Sequence, residues 1–223
     1  MSPGRHFRPS RVRVHNFAVS RDGVAAGFHQ SRERPFGDLD PTPLMSWAGA
    51  TDSWPNRAEP GGSRGVDDHF VRDFTHHIGA EIMGRNKFAP IRGPWPDEEW
   101  RGWWGDDPPF RTPVFVLTHH PRPSIQMDGG TSFHFVNSGI EAALKQALAA
   151  AEGADVRIGG GASTVQQYLR AGLVDELHVA VVPVLLGDGE RLFDNLDDVT
   201  HGLECAEVAS SGSVAHVRMV RAT

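Results

Sequence analysis

Residues 154–194 read ADVRIGGGASTVQQYLRAGLVDELHVAVVPVLLGDGERLFD, and this stretch decides the reading of the chain. Asp155 to Ile158 is a short β-rich run that stops at Gly159-Gly160-Gly161. Behind the glycines, Ala162-Ser163-Thr164 open a helical pattern with Val165 and Leu169 on one face, and Gly172 stands at its C-cap. A strand that ends in glycines and turns into a helix aims backbone N–H groups and the positive end of the helix dipole at one point, where a phosphate can sit. The triplet also suits a tight turn that needs glycine for steric reasons alone, so both readings stand at this stage. A second apolar run, Leu177 to Leu186, has the composition of a strand buried on both faces, and Gly187-Asp188-Gly189 ends it.

Working back toward the N-terminus, strand-like runs alternate with helical ones. Arg11 to Val19 alternates and then turns fully apolar, ending at the turn Ser20-Arg21-Asp22-Gly23. Glu81-Ile82-Met83 ends in Gly84-Arg85-Asn86-Lys87, Val114 to Leu117 ends in Thr118-His119-His120, and Phe133 to Val136 precedes Asn137-Ser138. Ser63 is placed to cap a helix with Asp67 and Asp68 in its first turn and Val66, Phe70, Phe74 and Ile78 at helical spacing. Ser138 and Glu141 form a capping box ahead of a helix with Ile140, Leu144, Ala147, Leu148 and Ala151 on one face. Leu203 to Val208 and Val214 to Val220 read as a terminal antiparallel hairpin. This order predicts a three-layer α/β/α domain over residues 11–223, with a mostly parallel central sheet and a C-terminal antiparallel hairpin, behind a disordered arm over residues 1–10.

Two stretches resist a periodic reading. Phe28 to Ser63 is broken by prolines and glycines and anchored by Trp47 and Trp54, which suit either a cover for a flat substrate or glue for a long loop. Trp95, Trp100, Trp103 and Trp104 crowd a second connection, where they either cap a site or meet another subunit. The balance of 22 Lys+Arg against 28 Asp+Glu, a net charge of −6, argues against a nucleic-acid surface as the main business of the chain. The single cysteine, Cys205, excludes an internal disulfide and sits in an alternating run as a small core residue. Histidines in and beside the first helix lack metal-ligand spacing, so no metal is expected. No apolar run reaches transmembrane length and the N-terminus has no signal-like core, which suggests a cytoplasmic protein without a membrane partner.

Taken together, Gly159-Gly160-Gly161, the Gly172 to Leu177 string and Pro183 to Gly187 closely resemble the C-terminal reductase domain of bacterial riboflavin biosynthesis, within the dihydrofolate-reductase-like superfamily. Ser20-Arg21-Asp22-Gly23, Met83-Gly84-Arg85 and Leu117-Thr118 stand in that family's order, so the resemblance runs from Val12 to Val220. It implies an NADPH-dependent oxidoreductase that passes hydride to a small pteridine- or pyrimidine-like heterocycle or to a carbonyl compound, and a homodimer. For the cofactor it implies Val19, Gly84, Arg85, Asn86, Leu117, Thr118, His119, Gly159, Gly160, Gly161, Ala162, Ser163 and Thr164, with Arg122 as a further cation near the 2′-phosphate. For the reacting ring it implies Asp22 first and Asp68 second. The substrate side departs from the relatives: Asn16 stands where riboflavin-pathway reductases have Lys, and Gly159 where they have Glu; in the phosphate motif, Asn86-Lys87 follows Gly84-Arg85 where Lys/Arg-Thr is more usual. A non-catalytic NADPH-binding protein of the same fold is therefore the alternative.

Overall fold

The computed structural model describes residues 9–55, 61–196 and 202–222; most of the expected N-terminal arm lies outside them. In chain order the elements are β1 (Val12–Ser20), β2 (Val24–Ala26), α1 (Thr42–Gly49), α2 (Val66–Arg72), β3 (Ile78–Gly84), α3 (Arg85–Phe88), β4 (Pro113–Leu117), β5 (Ile125–Gln126), β6 (Ser132–Val136), α4 (Ile140–Ala150), β7 (Asp155–Gly160), α5 (Ala162–Arg170), β8 (Glu176–Val182), β9 (Glu190–Arg191), β10 (Leu203–Ser210) and β11 (Ala215–Arg221). Nine strands form one sheet in the order β10-β11-β8-β1-β7-β3-β4-β6-β5. The six strands from β8 to β6 run parallel, while β11 pairs antiparallel with β8 and with β10. This is the expected mostly parallel sheet with an antiparallel C-terminal end.

The strand period of two gives the sheet two unlike faces. On the first, Val12, Val14, Ala80, Ile82, Val156, Ile158, Leu177 and Val179 pack against Ala143, Leu144 and Ala147 of α4 and Val165, Tyr168 and Leu169 of α5. On the second, the intervening positions carry Arg13, His15, Glu81, Arg157, Glu176 and His178, all buried. That polar stripe is flanked by two apolar clusters. Leu44, Trp47, Ala48 and Val71 of α1 and α2 cover the β8 side, and Phe88, Phe110, Met127 and Phe133, with Trp95, Trp100 and Trp104 packed on them, cover the β4–β6 side.

Several local expectations give way to neighbouring backbone. The helix expected from Ser63 begins after Gly65 and ends at Arg72, without Phe74 or Ile78, because Ser63 is drawn into backbone pairing with Ala50 and Asp52. Ser138 and Glu141 form no capping box; Gly139, at φ 88°, is the N-cap of α4 and makes the turn that only glycine takes easily. The stretch from Phe28 to Ser63 is not wholly irregular, since α1 lies inside it and buries Leu44 and Trp47. The second apolar run leaves the sheet after Val182, where Pro183 offers no ladder donor, and Leu185 is exposed. Cys205 is exposed rather than core, because β10 is an edge strand lying mostly in solvent.

Burying the second face fixes the protonation of its groups. Burial, and next the neighbouring His216, lower the pKa of His178 from 6.5 to about 2. For Glu176, burial alone would raise the pKa, but the hydrogen bond with His15 and the charge of Arg13 bring it to about 2. Both folded values are depressed, so in acid the unfolded chain takes up protons that the folded chain refuses, and stability falls with pH. The loss begins below 6.5 for His178 and below 4.5 for Glu176, and continues toward pH 2. Urea unfolding is expected to weaken by up to about 1.4 kcal/mol per pH unit from His178 alone between about pH 6 and pH 5. His178→Gln should make that limb shallower, leaving the share of His15 and His216, whose pKa values burial also lowers, and the carboxylate limb; an unchanged slope would contradict the assignment.

Candidate functional site

The C-terminal ends of β3, β4, β6 and β7 open into a cavity of about 1040 Å³ on the second face of the sheet. Gly84, Arg85 and Asn86 line it from the β3–α3 junction, and Leu117, Thr118 and His119 from the end of β4. Gly159, Gly160, Gly161, Ala162, Ser163 and Thr164 line it from the β7–α5 junction. All of these were expected at the cofactor. Val19 is not brought to this wall: it is 2% exposed and packs in the core under the helices, while its neighbours Phe17 and Ala18 line the cavity.

The glycines serve different ends. A Cβ on Gly84 would lie 2.3 Å from Thr164 Oγ1, so glycine there lets β3 approach the first turn of α5. Gly160 has φ +107°, which a residue with a side chain adopts only under strain, and a cis peptide joins it to Gly161. Gly161 has φ −69°, and a Cβ there would meet nothing within 4 Å. Its bare face therefore gives the cavity direct access to the N-terminus of α5, whose first N–H groups have no acceptor within the helix.

Arg85 leads from this cradle to a basic corner. Its guanidinium lies 4.0 Å from the centre of the Trp95 ring, and its Nε and Nη2 are buried without a hydrogen-bond partner. On the same ring Arg122 stacks at 5.1 Å, with Nη1 donating to the Trp100 carbonyl at 3.1 Å and Nη2 to that of Glu98. Arg122 lines a separate shallow cleft, and His119 and His120 line both spaces. Buried guanidinium nitrogens without acceptors suit an anion, and a dinucleotide phosphate meets that requirement.

The two carboxylates expected at the reacting ring stand away from the cavity wall. Asp22 accepts from Ser20 Oγ at 2.6 Å, Leu186 N at 3.1 Å and Gly187 N at 2.8 Å, and these bonds lower its pKa to about 2. It fastens the segment after β8 to the turn after β1. Asp68 is buried and accepts from Ser53 N at 2.7 Å, tying α2 to the loop behind α1. His15, Asp73 and Glu176 lie close enough together to hold a metal ion, but Arg13 Nη2 already sits 2.7 Å from Asp73 Oδ2 and 3.2 Å from Glu176 Oε1.

What the cavity does hold is a set of polar groups to which the sequence assigned no hydrogen-bonding role. His15 Nδ1, Asn16 Oδ1 and Trp47 Nε1 are buried without partners, and all three residues line the cavity. Lys87 joins them, with Nζ donating to the Gly159 carbonyl at 2.7 Å. Phe17, Phe74, Trp104 and Phe110 supply flat apolar walls. The signals were faint: a lysine two places after Gly-Arg, and a histidine in the alternating part of β1.

The parallel sheet, the antiparallel C-terminal strands and the glycine-lined cavity at the strand ends define a dihydrofolate-reductase-like fold. The chain belongs to the family of the RibD C-terminal domain, which it matches over residues 12–217. Among curated proteins it is 27% identical over 166 residues to uncharacterized protein YwjB of Bacillus subtilis (strain 168), covering 71% of this chain and 82% of that one. It is 28% identical over 125 residues to uncharacterized protein YyaP of the same strain, covering 54% and 62%. A putative riboflavin biosynthesis protein from Shewanella sp. PV-4 superposes with a TM-score of 0.59 at 22% identity, over 97% of this chain and 100% of that one. Dihydrofolate reductase from Enterococcus faecalis, solved with NADP(H), superposes with a TM-score of 0.50 at 16% identity, over 96% and 97%.

The glycine geometry selects the informative variant. Gly161→Val introduces a side chain where the backbone tolerates one and where it projects into open space, so the protein should keep its melting temperature. NADPH affinity, measured by calorimetry, is expected to drop at least about tenfold, roughly 1.4 kcal/mol. Gly160→Val forces a positive φ and is expected to lose about 1 kcal/mol or more of stability. Undiminished binding by Gly161→Val would reduce the triplet to a turn.

Proposed function

We propose that this protein is an NADPH-dependent reductase that transfers a hydride to a small heterocyclic or carbonyl substrate, working in the cytoplasm as a homodimer. The observation that carries the reading is the convergence on one cavity wall of a glycine cradle at the α5 N-terminus and the unpartnered nitrogens of Arg85. In this reading Gly160, Gly161 and the first N–H groups of α5 hold the pyrophosphate, and Arg85 and His119 meet the 2′-phosphate. NADPH supplies the hydride when bound. The chain's own work is to hold the nucleotide at the cradle, exclude water with the tryptophan-lined walls, and present polar hydrogens to the substrate. Among the described residues no helix is long and apolar enough to cross a membrane.

One observation favours the second reading, an NADPH-binding protein without catalysis. Asp22 and Asp68 are tied to backbone N–H groups, and the family's Lys and Glu are replaced by Asn16 and Gly159. Turnover separates the two. Loss of absorbance by NADPH with any member of a panel of pteridines, oxopyrimidines and small carbonyl compounds supports the reductase; tight binding with no oxidation across the panel supports the binder.

Two measurements follow from the geometry. NADPH is expected to bind at least about tenfold more tightly than NADH, and Arg85→Met should bring the two affinities together. Equal affinities in the parent would remove the 2′-phosphate role. Trp95, Trp100 and Trp104 pack inward, and the most exposed of the large apolar side chains among the described residues are instead Leu185 and Val208, at 72% and 68% exposure. Sedimentation at micromolar concentration should give a dimer that Leu185→Asp with Val208→Asp weakens; a monomer in the parent would refute the assembly.

A further inference from the structure

The second face of the sheet delivers an uncompensated positive charge to the cavity. Glu81 is fully buried, and its two oxygens are divided between two cations. Arg157 donates to Oε2 through Nε at 2.9 Å and through Nη2, while Lys87 Nζ donates to Oε1 at 3.3 Å. One carboxylate between two cations leaves one positive charge over. Arg157 does not expose it: its side chain is 2% accessible, its Nη1 donates to the Phe74 carbonyl at 2.6 Å, and its guanidinium lies 3.6 Å from the centre of the Phe74 ring. Lys87, 29% accessible, is the member of the cluster that reaches the cavity.

The ammonium is held but not used up. It has three N–H bonds. One meets Glu81 and one the Gly159 carbonyl, and the third has no hydrogen-bond acceptor among the described residues, the Phe110 ring centre lying 6.0 Å from Nζ. Lys87 also stands where a side chain on residue 159 would have to go. A Cβ on Gly159 would lie 2.0 Å from Glu81 Oε1 and 2.8 Å from Lys87 Nζ. Riboflavin-pathway reductases resembling this chain place a glutamate there, an acceptor of hydrogen bonds. Here the same ground presents a donor.

We propose that Lys87 is the specificity-determining residue of this cavity, and that its free N–H selects a planar substrate presenting a carboxylate or carbonyl oxygen. The inference deepens the reductase reading and rests on it for the word substrate. Planarity follows from Phe17, Phe74, Trp104 and Phe110 on the walls. The polarity follows from the donor and its charge, since a buried cation meets a cationic or donor-bearing ring with repulsion and an oxygen acceptor with a charge-assisted bond. Burial lowers the Lys87 pKa, and the Glu81 carboxylate beside it opposes that shift and favours the charged form.

Benzoate and benzamidine share a flat frame and differ in the sign of their charge, which makes them suitable probes. Calorimetry on the full-length protein, with NADP⁺ present to fill the cradle and again without it, should show benzoate binding at least about tenfold more tightly than benzamidine. Lys87→Met and Lys87→Gln, which leave Glu81 paired with Arg157, should abolish the preference, and Lys87→Arg should retain it. No benzoate binding in the parent, equal binding of the two probes, or a preference that survives both neutral variants would overturn the proposal. NADP⁺ binding without benzoate selectivity sinks Lys87 alone and leaves the reductase reading standing. Lysine-dependent benzoate selectivity without nucleotide binding sinks the reductase reading alone.

Discussion

The ion pair between Arg157 on β7 and Glu81 on β3 is the interaction on which the rest of the site depends. The two residues are register partners across adjacent parallel strands, both essentially inaccessible. Removing Glu81 would strand the Arg157 charge in the interior, at a cost of about 3–5 kcal/mol, so the pairing strongly specifies which residue of β7 lies beside which residue of β3. Two residues further along β3, past a register shift between Ile82 and Met83, Met83 lies opposite Gly160, and the two strand ends arrive together. Gly84 can then touch Thr164 at the first turn of α5. The buried salt bridge thus anchors the two strands just before the shift that opens into the cradle.

A second ionic group works in the same way one strand over. Arg13 on β1 reaches Asp73, Asp155 and Glu176, which belong to the segment after α2, to β7 and to β8. Together the two groups account for why the second face is polar in its middle and apolar only at its flanks. Helices cannot cover such a stripe with leucine. The flanking covers, α1 and α2 on one side and the tryptophan-rich connection on the other, stop short of it, and the cavity is the space between them.

How much of this was legible in sequence follows from the range of each signal. The glycine triplet and the Gly84-Arg85 pair are local, and twelve residues read from such strand-end motifs do line one cavity. Asp22 was also read locally, but its role depends on Leu186 and Gly187, more than 160 positions away, whose N–H groups it accepts. Arg13, Glu81 and Arg157 were invisible as a set, because an alternating strand shows which residues share a face but not what faces them. Cys205 failed for the complementary reason. Alternation in β10 read as half-buried, whereas the sheet order makes it an edge strand with little to pack against.

Asn16 shows how far the polar face reaches into the site. It sits at the register shift of β1 with φ 52°, a left-handed conformation uncommon outside glycine. Its N–H donates to His178 Nδ1 at 3.1 Å, so that ring carries its proton on Nε2, which faces His216 Nδ1 at 3.0 Å. His216 is thereby left with its own proton on Nε2, directed at Asp67 Oδ1 at 3.0 Å. Each hydrogen bond fixes the tautomer of the next, and the chain runs in one direction from the bulge to a carboxylate. Burial keeps both rings neutral, consistent with the lowered pKa of each. The relay thus fixes the backbone of Asn16, and its side chain, with Nδ2 donating to the Phe70 carbonyl at 3.2 Å, presents an unpartnered Oδ1 to the cavity at the position where the family has lysine.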